Sequence, residues 1–323
     1  VGMERARYLW MGTFHSIFSR ILRAEASYIG FTSQFTIYDT ADSKSLLRSI
    51  IKEMGLDEKT YKPGVVQARI SNAKNHLVTP TGYAANKEAY EGDMAAKMPA
   101  IRDIYTRYWE RCRQAGAMDF DDLLVYTYIL FRDFPDILAK YQQKFNYILV
   151  DEYQDTNALQ DALYRCLAAP AGDNLFLVGD LKQSIYRFRQ AEPGIFRQKL
   201  DSWPLLPGAK ARPRPPEGTP GTDALLALDA NFRSAPQVVA GINYLFEQLM
   251  TPELGDTAYG DGQRLVCGAP GEYQGSVEVQ FLPDDETETD AGWIAERIAQ
   301  LVSAGEPVRE GSTTRPVRYE DCC

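Results

Sequence analysis

Residues 147–157, YILVDEYQDTN, place an apolar run directly ahead of two adjacent carboxylates, Asp151 and Glu152, and then a polar, turn-rich stretch. Residues 158–168, ALQDALYRCLA, have the apolar spacing of a helix, and 174–180, NLFLVGD, form a second apolar run that ends on another carboxylate, Asp180. Strand, helix and strand within about 35 residues is the pattern of a βαβ unit and predicts a parallel sheet, with YILV as a buried strand. Open α/β sheets bind ligands beyond the carboxyl ends of their strands, which is where all three acids fall.

Neighbouring residues at a strand end leave the chain in different directions. One carboxylate of the pair can therefore reach a hydrated Mg²⁺ while the other reaches a water that attacks phosphate. An acidic helix cap following a strand is the competing reading of Asp-Glu alone. Past Asp180, in LKQSIYRFRQAEP, the Gln183 amide can sense a phosphate oxygen. Tyr186, Arg187, Phe188 and Arg189 make an aromatic and basic cluster suited to stacking bases, or else rings packed inward beside solvated arginines. In LDANFRS, Arg233 follows an expected strand and is either a surface residue or a cation able to neutralise a transferred phosphoryl group. Thr13 and His15 in GTFHS open a helix, as a cap and a core group or as ligand contacts.

Working outward, Phe14, Ile17, Phe18, Ile21 and Leu22 recur at helical spacing and Gly30 is a natural stop. Residues 39–118 read as almost wholly helical, in DTADSKSLLRSIIKEMG, YKPGVVQARISNAKNHL and MPAIRDIYTRYWERCRQAG. MDFDDLLVYTYILFRDFP is then a helix opened by acids. Residues 204–223 are rich in Pro and Gly and read as a surface loop. Beyond it, ALLALDANFRS and GSVEVQFLP read as strands, with PQVVAGINYLFEQLM and DAGWIAERIAQLVSAG as helices, so a second α/β domain is expected from about residue 205.

Apolar residues make up 45% of the 323 and charged residues 24%, the balance of a globular chain. No run of 18 apolar residues occurs, so no membrane partner is expected. Five cysteines without CxxC spacing favour a reducing compartment and a cytoplasmic location. Two histidines exclude a multi-histidine metal site. A net charge of −9 argues against DNA binding by bulk electrostatics but not against a local aromatic and basic track.

Taken together, GTFHS, ILVDEYQDTN, VGDLKQSIYRFRQAEP and LDANFRS resemble, in order, four motifs of the superfamily 1 DNA helicases of the UvrD/PcrA/RecB/AddA type. The resemblance implies RecA-like P-loop NTPase motor domains with parallel sheets and a helical insertion. Residues 1–38 and 119–204 would belong to motor domain 1A, 39–118 to helical subdomain 1B, and 205–323 to motor domain 2A. It implies ATP and Mg²⁺ as cofactors, with Asp151 on the metal, Glu152 activating water, Gln183 on the γ-phosphate, Arg233 as an arginine finger and Phe232 near the adenine. Thr13, His15, Tyr186, Phe188 and Arg189 would contact single-stranded DNA. Partners would be single-stranded or duplex DNA and a nuclease or repair subunit.

The sequence departs from that pattern in one large respect: it contains no GxxxxGK[ST], the loop and lysine that cradle β- and γ-phosphates. It therefore reads as an internal fragment, with Cys322 and Cys323 at a truncation end rather than as a redox pair. Residues 1–120 look closest to UvrD and PcrA, whereas KQSIYRFRQAEPGIF and NFRSAPQVVAGINYLFEQLM resemble the AddA helicase-nuclease subunit. The expectations are a 3′ to 5′ helicase of DNA repair or recombination, the helicase subunit of a helicase-nuclease, or an inactive single-stranded-DNA-binding module.

Overall fold

The computed structural model describes residues 8–169, 174–186, 190–205, 223–251, 254, 259–260, 263–268, 275–282, 289–310 and 313–322. Helix α1, Phe14–Glu25, starts where Thr13 turns extended and its hydroxyl accepts from the Ser16 N–H. Its buried residues, Phe18, Ile21, Leu22 and Glu25, repeat every three or four positions, which is the stripe a helix buries. It tightens into a 3-10 turn, Ala26–Ile29, and stops at Gly30, whose φ of 76° only glycine adopts at little cost.

The helical block follows as β1 (Thr36–Tyr38), α2 (Thr40–Glu53), α3 (Pro63–Asn75), α4 (Pro80–Ala85), α5 (Lys87–Ala95), α6 (Ile101–Gln114) and β2 (Ala117–Asp119). Asp39 opens α2 with a capping box, accepting from Ala41 and Asp42 N–H groups at 2.7 and 2.8 Å. Pro63 and Pro80 start α3 and α4, where the missing N–H is no loss. The block encloses its own core of Leu47, Ile50, Ile51, Val66, Ile70 and Ile104 with their neighbours. The block reads as helical with no strand in it, yet β2 at its end pairs in parallel with β1 just ahead of it, Thr36 opposite Ala117 through Tyr38 opposite Asp119. Three residues apiece are too few for periodicity to show a strand.

Next come α7 (Phe120–Asp133), α8 (Pro135–Lys144), β3 (Ile148–Val150), α9 (Ala158–Leu167), β4 (Leu175–Leu177) and α10 (Pro193–Ser202). Asp119 caps α7 and Asn157 caps α9, each through a full capping box. A second core joins α1 to α7, α8 and α9 around Ile21, Leu22, Leu130, Phe131, Leu159 and Leu163. Each such fully buried aliphatic side chain contributes about 1.5–3 kcal/mol.

The βαβ expectation is met: β3 and β4 are parallel, Ile148 opposite Leu175 and Val150 opposite Leu177. The expectation that YILV is a buried strand is corrected in part. Val150 is buried, but its neighbour Leu149 is 76% exposed and Leu149's register partner Phe176 is 49% exposed. Side chains alternate across a strand, and only one face of this pair is covered by Tyr153, Tyr164 and Phe196.

The chain divides into two compact units, residues 1–227 and 228–323. The expected boundary at 205 abuts residues 206–222, which lie outside the described residues. In the second unit β5 (Ala230–Asn231) precedes α11 (Pro236–Leu249) and pairs in parallel with β6 (Val266–Cys267). Helix α12 (Asp290–Ala304) is capped by Thr289 and ends at Gly305, and β7 (Pro307–Glu310) with β8 (Thr313–Pro316) make an antiparallel pair. Residues 275–282, expected as a strand, have no ladder partner among the described residues. Alternation marks a face; pairing makes the strand.

One buried ionic cluster fastens the helical block to α7. Lys74 is fully buried, with its Nζ 2.7 Å from both Asp119 Oδ2 and Asp122 Oδ1, and the Tyr108 hydroxyl donates to Asp119 at 2.8 Å. Burial pushes Lys74 down, but the two carboxylates outweigh it and hold its ammonium well above the usual range. Burial likewise pushes Asp119 up, and Lys74 brings it below its ordinary value; burial and Asp119 push Asp122 up. Lys74→Met should cost about 3–5 kcal/mol, because removing one partner strands buried charge. Without the cation both carboxyls have raised pKa values, so the folded state keeps protons that the unfolded state releases. The loss in urea denaturation should therefore be larger at about pH 8 than at about pH 5.5; equal losses at both would contradict this account of the cluster.

Candidate functional site

The ladder between β3 and β4 runs on past both strands. Val178 N–H donates to Val150 O, and Tyr153 N–H donates to Val178 O, each at 2.8 Å. Asp151 and Glu152 form the loop that these two bonds pinch off. Glu152 has φ 52° and ψ 40°, the left-handed region, and its N–H donates to Asp151 Oδ1 at 3.0 Å. A non-glycine residue held there is strained and is often found at functional positions. Both carboxylates are exposed at the strand end.

The support beneath them is apolar and ionic. Tyr153 is buried and its hydroxyl donates to Asp161. Lys199 Nζ lies 3.5 Å from Asp161 Oδ1 and sits over the rings of Tyr153 and Trp203. Asp155 is pushed up by burial and by the charge of Glu152, and among the described residues its Oδ1 has no hydrogen-bond partner.

Gln154 joins the two strand ends. It is buried, and its Oε1 accepts from the Asp180 N–H at 3.0 Å. Asp180 in turn accepts from Gln183 Nε2 at 3.0 Å and from Lys182 N–H at 3.1 Å, and pairs with Lys182 Nζ at 2.9 Å. Burial pushes Asp180 up, but these donors outweigh it and hold its carboxyl below the usual range. Asp151 and Glu152 on one strand end, and Asp180 and Gln183 on the next, are thus fixed at one sheet edge. The sequence singled out the acids and Gln183 but passed over Gln154 and Gly179. A glutamine inside a polar run gives no periodic signal; its importance comes from the strand end it meets.

Thr13 and His15 stand at the first turn of α1. Thr13 is exposed and caps the helix, and the His15 ring meets the Phe120 ring edge-on at 5.6 Å. Burial lowers the His15 pKa and Asp121 opposes it, so the ring is held toward its neutral form. Phe120 and Asp121 border a cleft of about 290 Å³ with Asp39, Lys44, Ser71 and Gln190. Phe14, between Thr13 and His15, packs on Tyr164 in the cluster that supports β3, its ring centroid 5.0 Å away. Tyr186 is half-buried, whereas Phe188 and Arg189 lie outside the described residues.

In the second unit, Asn231 makes the turn that presents Phe232 and Arg233, its Oδ1 accepting from the N–H groups of Arg233 and Ser234 at 3.0 and 2.9 Å. Phe232 is 71% exposed, and one side of its ring lies so close to Gly268 that an added Cβ there would stand 2.7 Å from it. Asn243, buried in α11, holds β6 by bonding both the N–H and the carbonyl of Leu265.

Residues 1–204 match the UvrD/REP helicase N-terminal domain, and the chain belongs to that family. The protein named ATP-dependent DNA helicase UvrD1 from Mycobacterium tuberculosis is 34% identical over 311 residues, covering 94% of this chain and 36% of the relative. ATP-dependent DNA helicase PcrA from Staphylococcus aureus is 43% identical over 191 residues, 58% of this chain and 25% of that protein. PcrA from Leuconostoc citreum is 41% identical over 187 residues, 58% and 24% of the two chains. This chain thus spans 36% or less of the length of these relatives. No helix among the described residues is long and apolar enough to cross a membrane.

A Cβ at Gly179 would stand 2.9 Å from Gln154 Oε1, 3.0 Å from Phe196 Cε1 and 3.2 Å from Gln154 N. Gly179→Ala should therefore push the two strand ends apart, at about 1–3 kcal/mol for overpacking. A thermal melt in which Gly179→Ala matches the unsubstituted chain would show that the clasp is loose.

Proposed function

We propose that this chain carries the carboxylate half of the ATP site, and part of the strand-contacting surface, of an ATP-dependent DNA helicase that moves 3′ to 5′ along single-stranded DNA in repair or recombination. The observation that carries the reading is the Gln154 clasp, which sets Asp151 and Glu152 beside Asp180 and Gln183 at the carboxyl edge of a parallel pair. The names of the relatives, UvrD1 and PcrA, favour this over the helicase subunit of a helicase-nuclease.

In this reading residues 1–38 and 119–204 belong to a RecA-like motor domain 1A, 39–118 to the helical subdomain 1B, and 205–323 to motor domain 2A. Asp151 fits Mg²⁺: it is exposed at a strand end, and that ion binds through one or two carboxylates, keeping waters and phosphate oxygens as its other ligands. When bound, Mg²⁺ supplies neutralisation of phosphate charge. Glu152, turned by its left-handed backbone, orients the hydrolytic water. Gln183, held by Asp180, reads the γ-phosphate. Arg233 neutralises charge on the transferred phosphoryl group and Phe232 offers a ring to the adenine. Thr13, His15, Tyr186, Phe188 and Arg189 contact the strand.

Fluorescence anisotropy with labelled oligo(dT) tests the DNA half. The chain should bind, and replacing Thr13 by Val together with His15 by Ala should weaken binding about tenfold, in line with contacts worth about 1–3 kcal/mol per base. Unchanged affinity in that double variant would remove the strand-contacting role. For the ATP half, the absence of GxxxxGK[ST] from the sequence predicts no turnover by these 323 residues alone. Turnover that Glu152→Gln abolishes would mean that the phosphate grip is built from residues of this chain.

A further inference from the structure

The last turn of α3 touches the segments behind both strand ends, through side chains that the roles above leave unused. Asn75 is buried, and its amide is fully committed. Its Nδ2 donates to Ser71 O at 2.9 Å and to Asp121 Oδ1 at 3.1 Å, and its Oδ1 accepts from Asn157 Nδ2 at 2.7 Å. Asn157 is buried too, and its own Oδ1 already caps α9 by accepting from the Gln160 N–H at 2.9 Å. Two further stitches run alongside. Gln190 Nε2 donates to Ser71 Oγ at 3.2 Å, while Glu192 Oε1 accepts from the Ala158 N–H at 3.3 Å and lies 3.5 Å from His76 Nε2. Residues 71–76 therefore hold 157–158, which follow Asp151 and Glu152, and also 190–192, which follow Gln183.

On its other side the same amide holds Asp121. The neighbouring Phe120 is the ring against which His15 packs. A buried amide whose donor and acceptor are both used fixes two partners at once, and deleting it leaves Asn157 Nδ2 and Asp121 Oδ1 each short of a bond.

We propose that Asn75 is a positioning residue that couples the segment following β3, through Asn157, to the surface around Thr13, His15 and Phe120, so that an occupied strand track and the carboxylate edge are linked through this side chain. This rests on the reading that single-stranded DNA lies along Thr13 and His15. Coupling of this kind is reciprocal, so a ligand at either end reports on the other.

Hydrogen–deuterium exchange of the 323-residue chain with and without oligo(dT), read together with anisotropy, tests it. In the unsubstituted chain the oligonucleotide should slow exchange in 13–18 and also in 152–160. Two variants break the link from opposite sides: Asn75→Ala, and Asn157→Ser, which keeps a side-chain oxygen at the N-cap of α9. In both, slowing at 13–18 should persist and slowing at 152–160 should vanish. Affinity should fall about fivefold in each, the low end of allosteric coupling, and no further in the double variant. A merely structural asparagine would lower the melting temperature and leave the remote slowing in place, and that result overturns the proposal, as do additive losses in the double variant. Binding by the unsubstituted chain without slowing at 152–160 overturns the proposal alone. No binding at all overturns the single-strand reading and the proposal with it.

Discussion

The buried contact of Lys74 with Asp119 and Asp122 is the constraint on which the first unit turns. Each partner belongs to a different piece of structure: Lys74 to the last turns of α3, Asp119 to the end of β2 and the cap of α7, and Asp122 to the first turn of α7. Burying one cation between two carboxylates is tolerable only when every charge has its partner at close range. The geometry that satisfies it leaves little freedom in how the helical block meets α7. It also settles the first turn of α7, and hence where Phe120 stands to receive His15.

The strand ends follow a different logic. Two short parallel strands give few ladder bonds, so position at the carboxyl edge depends on side chains that reach back: Gln154 to Asp180, Asp180 to Gln183 and Lys182, and Tyr153 to Asp161. Polar groups inside such a cluster are held by full satisfaction rather than by burial of area. Gly179 belongs to the same arrangement, since only a residue without a Cβ lets the second strand end approach Gln154.

Much of this was legible before any coordinate. Several helices declared themselves through caps and stops, because Asp39, Asp119 and Gly30 act through local backbone chemistry that a sequence displays directly. The place of the acids at 151, 152 and 180 beyond strand ends was legible because each follows an apolar run. What escaped was whatever depends on contacts far apart in sequence. The pairing of 36–38 with 117–119 joins segments about 80 residues apart, too short to carry a period of their own. Leu149 lies in the apolar run that predicts a buried strand, yet it is exposed because the contacts cover only one face of the pair. The amide that links Asn75 to Asn157 spans 82 positions and has no local signature.

The left-handed backbone at Glu152 has a further consequence, for how this position tolerates change. Glycine would relax there, since it alone occupies that region without steric cost, and by that measure position 152 is filled by an unsuitable residue. A screen that rewarded only thermal resistance would drift toward glycine and discard the carboxylate in the process. Under the role proposed for Glu152, backbone ease and the need for a carboxylate pull this one residue in opposite directions.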